Sequence, residues 1–175
     1  MLTADELRAR QGPLKQRYRD DPAAALATMT ARGTLDPATL SCRVEAAGGP
    51  VVAGLHESAG GDGTAACSGE MLLQALVACA GVTLTAVAGA LALPLRGGTV
   101  VAEGDLDFRG TLGVSKEVPV GFHAIRLAFD LDLAPGAILD DDRRATLLKL
   151  TERYCVIAQS VRPAPTLSAT VRAGD

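Results

Sequence analysis

From Met71 to Leu95 the chain carries no charged residue, with Glu70 and Arg96 marking the two ends. A helix that is apolar on every side must be covered on every side, either by lipid or by protein. Length alone permits a bilayer span, since about 20 apolar residues suffice. Composition argues otherwise. Alanine, glycine and threonine dominate the run where a span favours leucine, isoleucine and phenylalanine, and no aromatic belt flanks it. The expectation is therefore a buried central helix. Ala78, Gly81, Thr85 and Ala88 are small enough to let another backbone approach closely. A chain of 175 residues can hardly surround a helix of about 33 Å on all faces, at about 1.5 Å per residue, whereas two copies can.

The rest of the chain reads as one soluble domain with a real core. A net charge of −3 argues against nucleic-acid binding, which needs a basic surface, and the absence of tryptophan argues against base-stacking platforms. The charged opening "MLTADELRARQGPLKQRYRDD" has no apolar core of the kind a secretory signal needs, so a cytoplasmic, reducing location is expected. There, the four cysteines at 42, 67, 79 and 155 point to redox chemistry, metal or packing rather than a disulfide scaffold. They form no C-x-x-C pair, and His56 and His123 stand alone, so no metal site is expected.

Local patterns place the elements around that helix. Thr3-x-x-Glu6 is a capping box, predicting a short N-terminal helix that Gly12-Pro13 interrupts. Asp21-Pro22 predicts the start of a second helix and Gly33 its stop. From Leu40 the period becomes two: "LSCRVEA" and "VVAGLHE" read as strands joined at Gly48-Gly49. After the loop "SAGGDG" and the uncharged helix, "TVVAEGDLDFRG" and "VGFHAIRLAFDLDL" read as two further strands. Asp140 to Asp142 begin another helix, whose Leu147, Leu150, Tyr154, Ile157 and Val161 form an apolar stripe. "TLSATVRA" is a closing strand. Two helices followed by ββαββαβ give an α+β domain with helices against an antiparallel sheet.

Cys79 lies well inside the uncharged helix. On the residues alone it is either packing, since free cysteine behaves as a small hydrophobe, or a presented thiol, which needs an activating partner. Cys155 borders the stripe of the last helix, so both thiols can reach one seam. Cys67 sits at the start of the central helix, where the dipole lowers a thiol pKa. Cys42 shares its phase with Leu40 and Val44 and reads as core.

"CSGEMLLQALVACAGVTL" resembles the helix motif of the OsmC/Ohr family, the osmotically inducible and organic hydroperoxide resistance proteins. "GGDG" before it is similar to the family's glycine-rich lead-in. "ERYCVIAQSV" resembles the second cysteine motif, with Val156 where proline often stands. The resemblance covers roughly three quarters of the chain, dividing it into a helical extension, 1–34, and an OsmC-like domain, 35–175. It implies an intertwined homodimer with antiparallel sheets around the central helices. Cys79 would then be the peroxidatic thiolate that attacks an organic hydroperoxide, and Cys155 the resolving thiol. A lipoyl or thioredoxin-like dithiol protein would restore the pair, with no metal or organic cofactor.

The family's peroxidases also place an arginine, held by a glutamate ten residues before the cysteine, at the thiol. Here Gly69 stands ten back and Glu70 nine. Nine residues turn a helix by about 900°, which leaves Glu70 on the side opposite Cys79. Glu70 is thus a supporting candidate that also suits the helix dipole. Arg43, on the outer phase of the first strand, is the arginine candidate, with Arg17, Arg109 and Arg126 equally supported. His56, just before the glycine loop, stands where it would line the pocket. These departures place the chain on a divergent branch. They keep open a second reading, a non-catalytic dimer of the same fold that binds a small apolar or electrophilic ligand.

Overall fold

The computed structural model describes residues 3–162, so the predicted strand over 166–173 lies outside the described residues. The first helix, α1, spans Ala4–Asp20. Its capping box forms as the sequence predicts: the Thr3 hydroxyl accepts from the Glu6 amide at 3.2 Å, and the Glu6 carboxylate accepts from the Thr3 amide at 2.7 Å. The expected break at Gly12-Pro13 does not occur, and Pro13 sits inside the helix. No residue of α1 is buried, so the carbonyl that Pro13 leaves unpaired faces water and the break is not forced. The expected second helix shrinks to a single turn at Pro22–Ala25, with the Asp21 carboxylate accepting from the Ala23 amide at 3.1 Å. Beyond it Leu26 and Met29 are 83% and 90% exposed, so no packed face extends the turn.

Gly33, instead of ending a helix, opens strand β1 (Gly33–Asp36). β1 pairs antiparallel with β2 (Ser41–Val44), and β2 pairs antiparallel with β3 (Val51–Gly54) across the Gly48-Gly49 turn. Gly49 adopts φ 110°, a conformation a side chain would strain. A two-residue strand, β4 (Ala66–Cys67), adds parallel to β3 and leads straight into the central helix α2 (Ser68–Ala90). The second sheet is the long antiparallel pair β5 (Leu95–Leu106) and β6 (Phe122–Leu133). β5 starts earlier than the sequence predicts and stops at Leu106, because the Asp107 carboxylate accepts from the Arg109 amide at 3.0 Å and opens the short helix α3 (Phe108–Thr111). Helix α4 (Asp141–Tyr154) is capped by Asp140, whose carboxylate accepts from the Arg143 amide at 2.8 Å. A short helix α5 (Val156–Ser160) follows.

α2 packs on β5, α4 and α5, and two buried clusters form along it. Toward its C-terminal end Leu84, Val87 and Ala88 meet Leu93 and Leu147, backed by Phe129, Leu131 and Leu133. Nearer the middle, Leu76 and Ala80 meet Cys155. Burying each of these leucines contributes about 1.5–3 kcal/mol. A third face of α2 has no cover among the described residues: Ala75, Ala78, Val82 and Thr85, spaced by three and four residues, are all exposed, Val82 by 74%. The chain as a whole exposes 13269 Å², where a folded monomer of 17.9 kDa is expected to expose about 8,000 Å². The surplus exceeds the roughly 2,200 Å² that the fifteen residues outside 3–162 could add at full extension.

Thr151 is the one buried polar side chain in this core among the described residues, and its hydroxyl has no hydrogen-bond partner there. A buried unpaired hydroxyl costs about 1–3 kcal/mol. Thr151→Val is therefore expected to raise stability by about 1 kcal/mol, read as a higher urea midpoint at unchanged m-value. A lowered midpoint would show that the hydroxyl is satisfied in solution.

Candidate active site

Two elements bring the thiols of Cys79 and Cys155 into one seam. α2 carries Cys79 on the edge of its sealed face, between buried Leu76 and Ala80. The last turn of α4 delivers Cys155, which leaves helical geometry at φ −76°, ψ 108° while its amide still donates to the Thr151 carbonyl at 3.0 Å. Cys155 is thus the joint between α4 and α5, and its sulfur accepts from the Ala158 amide at 3.5 Å. The single apolar stripe predicted across this region is corrected by the joint. Leu147 is buried, but Tyr154 is 59% exposed and Val161 lies at the surface. Breaking the helix at Cys155 leaves the first amides of α5 free of the α4 carbonyls that a continuous helix would have used, and they act on the Cys79 thiol.

The two thiols are free, and their surroundings drive them apart. Burial pushes the Cys79 thiol up, but the neighbouring amides of Ile157 and Val156, the Cys155 thiol and the Thr83 hydroxyl favour its anion, and the net effect lowers its pKa. Burial likewise pushes the Cys155 thiol up. There the charge and hydrogen bond of Cys79 reinforce burial, the Ala158 and Ile157 amides oppose it, and the pKa ends raised. The arrangement makes Cys79 the more acidic thiol of the two and Cys155 the less acidic, with Cys79 packed against the cluster that holds Cys155. Thr83 and the α5 amides were not visible in the sequence as site groups. Thr83 lies one turn beyond Cys79, a usable signal; the amides have no side-chain signature.

The other candidates lie elsewhere. Glu70 reaches back to the Cys67 amide at 3.4 Å, as a helix-start carboxylate. His56 caps a short turn, its Nδ1 accepting from the Ser58 amide at 3.0 Å, and stacks on Phe108 with ring centres 4.9 Å apart. His56, Cys67 and Glu70 share a cavity that neither Cys79 nor Cys155 lines. Arg43 is exposed on β2 and its charge acts on Asp36. Arg126 forks onto Asp105 and Glu103, Arg109 pairs with Asp107, and the carbonyl of Arg17 closes the end of α1. The groups acting most strongly on the Cys79 sulfur include no guanidinium. Cys42 is half-buried in β2, whereas Leu40, expected to share its buried phase, is 72% exposed in a left-handed turn (φ 50°). Among the described residues no three His, Cys, Asp or Glu side chains converge as metal ligands.

A family model described as OsmC-like protein matches residues 61–170. Among solved structures, an OsmC-like protein of unknown function from Vibrio cholerae superposes with a TM-score of 0.65 at 14% identity, covering 79% of this chain and 96% of that one. An OsmC-like protein from Mycoplasma pneumoniae gives 0.62 at 11% identity, covering 78% and 89%. An organic hydroperoxide resistance protein from Legionella pneumophila gives 0.56 at 17% identity, covering 79% and 92%. Among curated proteins no relative matches. At these identities the structures establish the shared fold.

The thiol geometry makes a direct prediction. Iodoacetamide alkylation of Cys79 in the folded protein is expected to rise with pH along a one-proton curve whose midpoint lies below the ordinary thiol value of about 8.5. Cys155→Ala removes one donor and moves that midpoint up. Cys155 itself is expected to resist alkylation until the protein unfolds. A wild-type midpoint at or above 8.5 would contradict the arrangement.

Proposed function

This chain belongs to the OsmC-like protein family, and from that premise we propose that it is a thiol-dependent peroxidase for organic hydroperoxides, working as a cytoplasmic homodimer in oxidative-stress defence. The observation that carries the reading is that Cys79 packs against the cluster holding Cys155, beside the start of α5, with the Cys79 pKa lowered and the Cys155 pKa raised. A reactive pair needs this inequality, since the thiolate is the nucleophile and the thiol holds the proton that the leaving group requires.

The chemistry follows from the positions. The Cys79 thiolate attacks the terminal oxygen of the hydroperoxide; an S–O bond forms, the O–O bond breaks, and the leaving alkoxide takes the Cys155 proton to depart as alcohol. Cys79 is then a sulfenic acid and Cys155 a thiolate in contact with it. Cys155 attacks the Cys79 sulfur and expels hydroxide, which takes a proton from water-borne acid and leaves as water. The products are a 79–155 disulfide, alcohol and water, a reversible step of thiol oxidation. A dithiol protein of the lipoyl or thioredoxin type would return both thiols by exchange. The apolar residues around the pair, Leu76, Ile125, Leu127 and Ile157, suit an alkyl or aryl hydroperoxide over hydrogen peroxide. The Thr83 hydroxyl and the α5 amides do the work that an arginine does in the family's well-known peroxidases.

The homodimer reading rests on α2. Its open face of Ala75, Ala78, Val82 and Thr85 presents small side chains with one valine, which suits close helix-to-helix contact with a second copy. The surplus of exposed surface supports the same reading.

Stopped-flow oxidation with tert-butyl hydroperoxide tests the chemistry. Wild-type protein is expected to lose both thiols and gain one 79–155 disulfide per chain. Cys79→Ser is expected to lower peroxide consumption roughly 10³-fold, and Cys155→Ser to stop at a sulfenic acid that dimedone traps. A Cys79→Ser protein that still consumes peroxide at the wild-type rate overturns the assignment. For the assembly, light scattering is expected to return twice the chain mass of 17.9 kDa, and Val82→Glu to shift it toward one chain. A monomeric wild type would overturn the dimer.

A further inference from the structure

We propose that the chain carries a second, separate binding site for a small neutral molecule with an apolar body and a hydrogen-bond acceptor at one end. The site is a cavity of about 700 Å³ at the N-terminal end of α2. That volume lies inside the range of about 300–1,000 Å³ typical of small-molecule sites. It stands apart from the thiol pair: Leu73, its deepest residue along α2, precedes Cys79 by six residues, about 9 Å along the axis.

Its walls come from separate elements: Leu72 and Leu73 from α2, Leu106 from β5, Phe108 from α3 and Phe122 from β6. Phe122 forms a fixed aromatic wall because two glycines make room for its ring. A Cβ on Gly104 would come within 2.6 Å of the ring, and one on Gly69 within 3.3 Å. The lining also holds polar groups. His56 is held against Phe108 with the ring planes 27° apart. Its Nδ1 accepts from the Ser58 amide, so the neutral ring carries its proton on Nε2, a donor with no protein acceptor among the described residues. Glu70, whose carboxylate is held at the start of α2, lines the same cavity.

This set of groups selects the ligand class. The histidine N–H asks for an acceptor such as a carbonyl or ether oxygen. The carboxylate repels an anion at that position, so a carboxylate ligand is disfavoured. The hydrophobic walls favour an aliphatic or aromatic body. A ketone, ester or amide with an apolar body meets all three demands. The site is independent of the peroxidase reading, because no wall residue belongs to the thiol pair.

The test is a titration of the full chain with 6-propionyl-2-(dimethylamino)naphthalene, a neutral fluorophore whose emission shifts to the blue in apolar surroundings and whose ketone can accept from His56. Saturable binding at one probe per chain is expected. Leu72→Glu is expected to weaken it about tenfold or more by placing a charge in the wall, and His56→Phe about threefold or more by removing the donor while keeping the ring. Val120→Trp, a substitution at a 74% exposed residue of the rim, is expected to fill the opening and weaken binding without burdening the fold. Ile138→Glu, equally exposed but remote, is expected to bind as wild type. Cys79→Ser is also expected to bind as wild type, which separates this proposal from the fate of the peroxidase assignment. Absence of saturable binding, or equal loss in Ile138→Glu and Leu72→Glu, overturns it.

Discussion

The structure depends on covering α2. Twenty-three helical residues with a single charge at the start cannot be left in water, and the rest of the fold supplies cover from β5, α4 and α5. That cover reaches only part of the circumference. Leu76, Ala80, Leu84, Val87 and Ala88 are sealed, while Ala75, Ala78, Val82 and Thr85 are not. Few other side chains among the described residues are fully buried, so this helix is both their main source of hydrophobic stabilisation and the surface most in need of a partner. The same constraint explains why the site is where it is. The boundary between the sealed and open faces is where a thiol can be shielded from bulk water yet reached by a reactant.

Cys79 stands on that boundary, and the joint at Cys155 gives it chemical meaning. Burial by itself raises both thiols, and two equally raised thiols would be inert. The inequality comes from backbone geometry. Ending α4 one residue before Cys155 and restarting at Val156 frees amides that would otherwise be internal to a helix, and they help lower the Cys79 pKa. Cys155 receives an amide as well, from Ala158, but burial and the charge and hydrogen bond of Cys79 hold its pKa up. Lowering the Cys79 pKa with neutral dipoles adds no fixed charge of its own to the seam. It also leaves the arginines free to act elsewhere: Arg126 and Arg109 are committed to carboxylates on the exposed sheet and loop.

The N-terminal end of α2 solves a different problem with different residues. There β4 feeds directly into the helix, and Glu70 answers the amide of Cys67. His56, stacked on Phe108, and Phe122, seated on Gly69 and Gly104, frame an apolar cavity. Glu70 and His56, the supporting candidates for the thiols, thus both line this cavity instead. One helix serves two regions because 23 residues hold them far enough apart to be independent.

How much could be read from the chain follows from the range of the interactions involved. The α2 run, the capping box at Thr3, the turn at Gly48-Gly49 and the start of α4 at Asp140 are local or periodic signals, set by neighbours within a few residues, and all were legible. So were the two cysteine motifs and the family they resemble. The helix expected after Pro22 failed because propensity without a buried face does not sustain a helix, and Pro13 was tolerated because nothing packs on α1. The length of β5 and the stop at Asp107 depended on pairing with β6 and on one cap. The break at Cys155, the amides brought near Cys79 and the cavity shared by His56 and Glu70 could be decided only in three dimensions. Each depends on backbone groups, or on side chains distant in sequence, whose positions no local pattern encodes. The sequence determined that an uncharged helix must be buried and that it carries a thiol; the tertiary structure decided which face remains open and which dipoles meet the sulfur, because those are consequences of packing between elements.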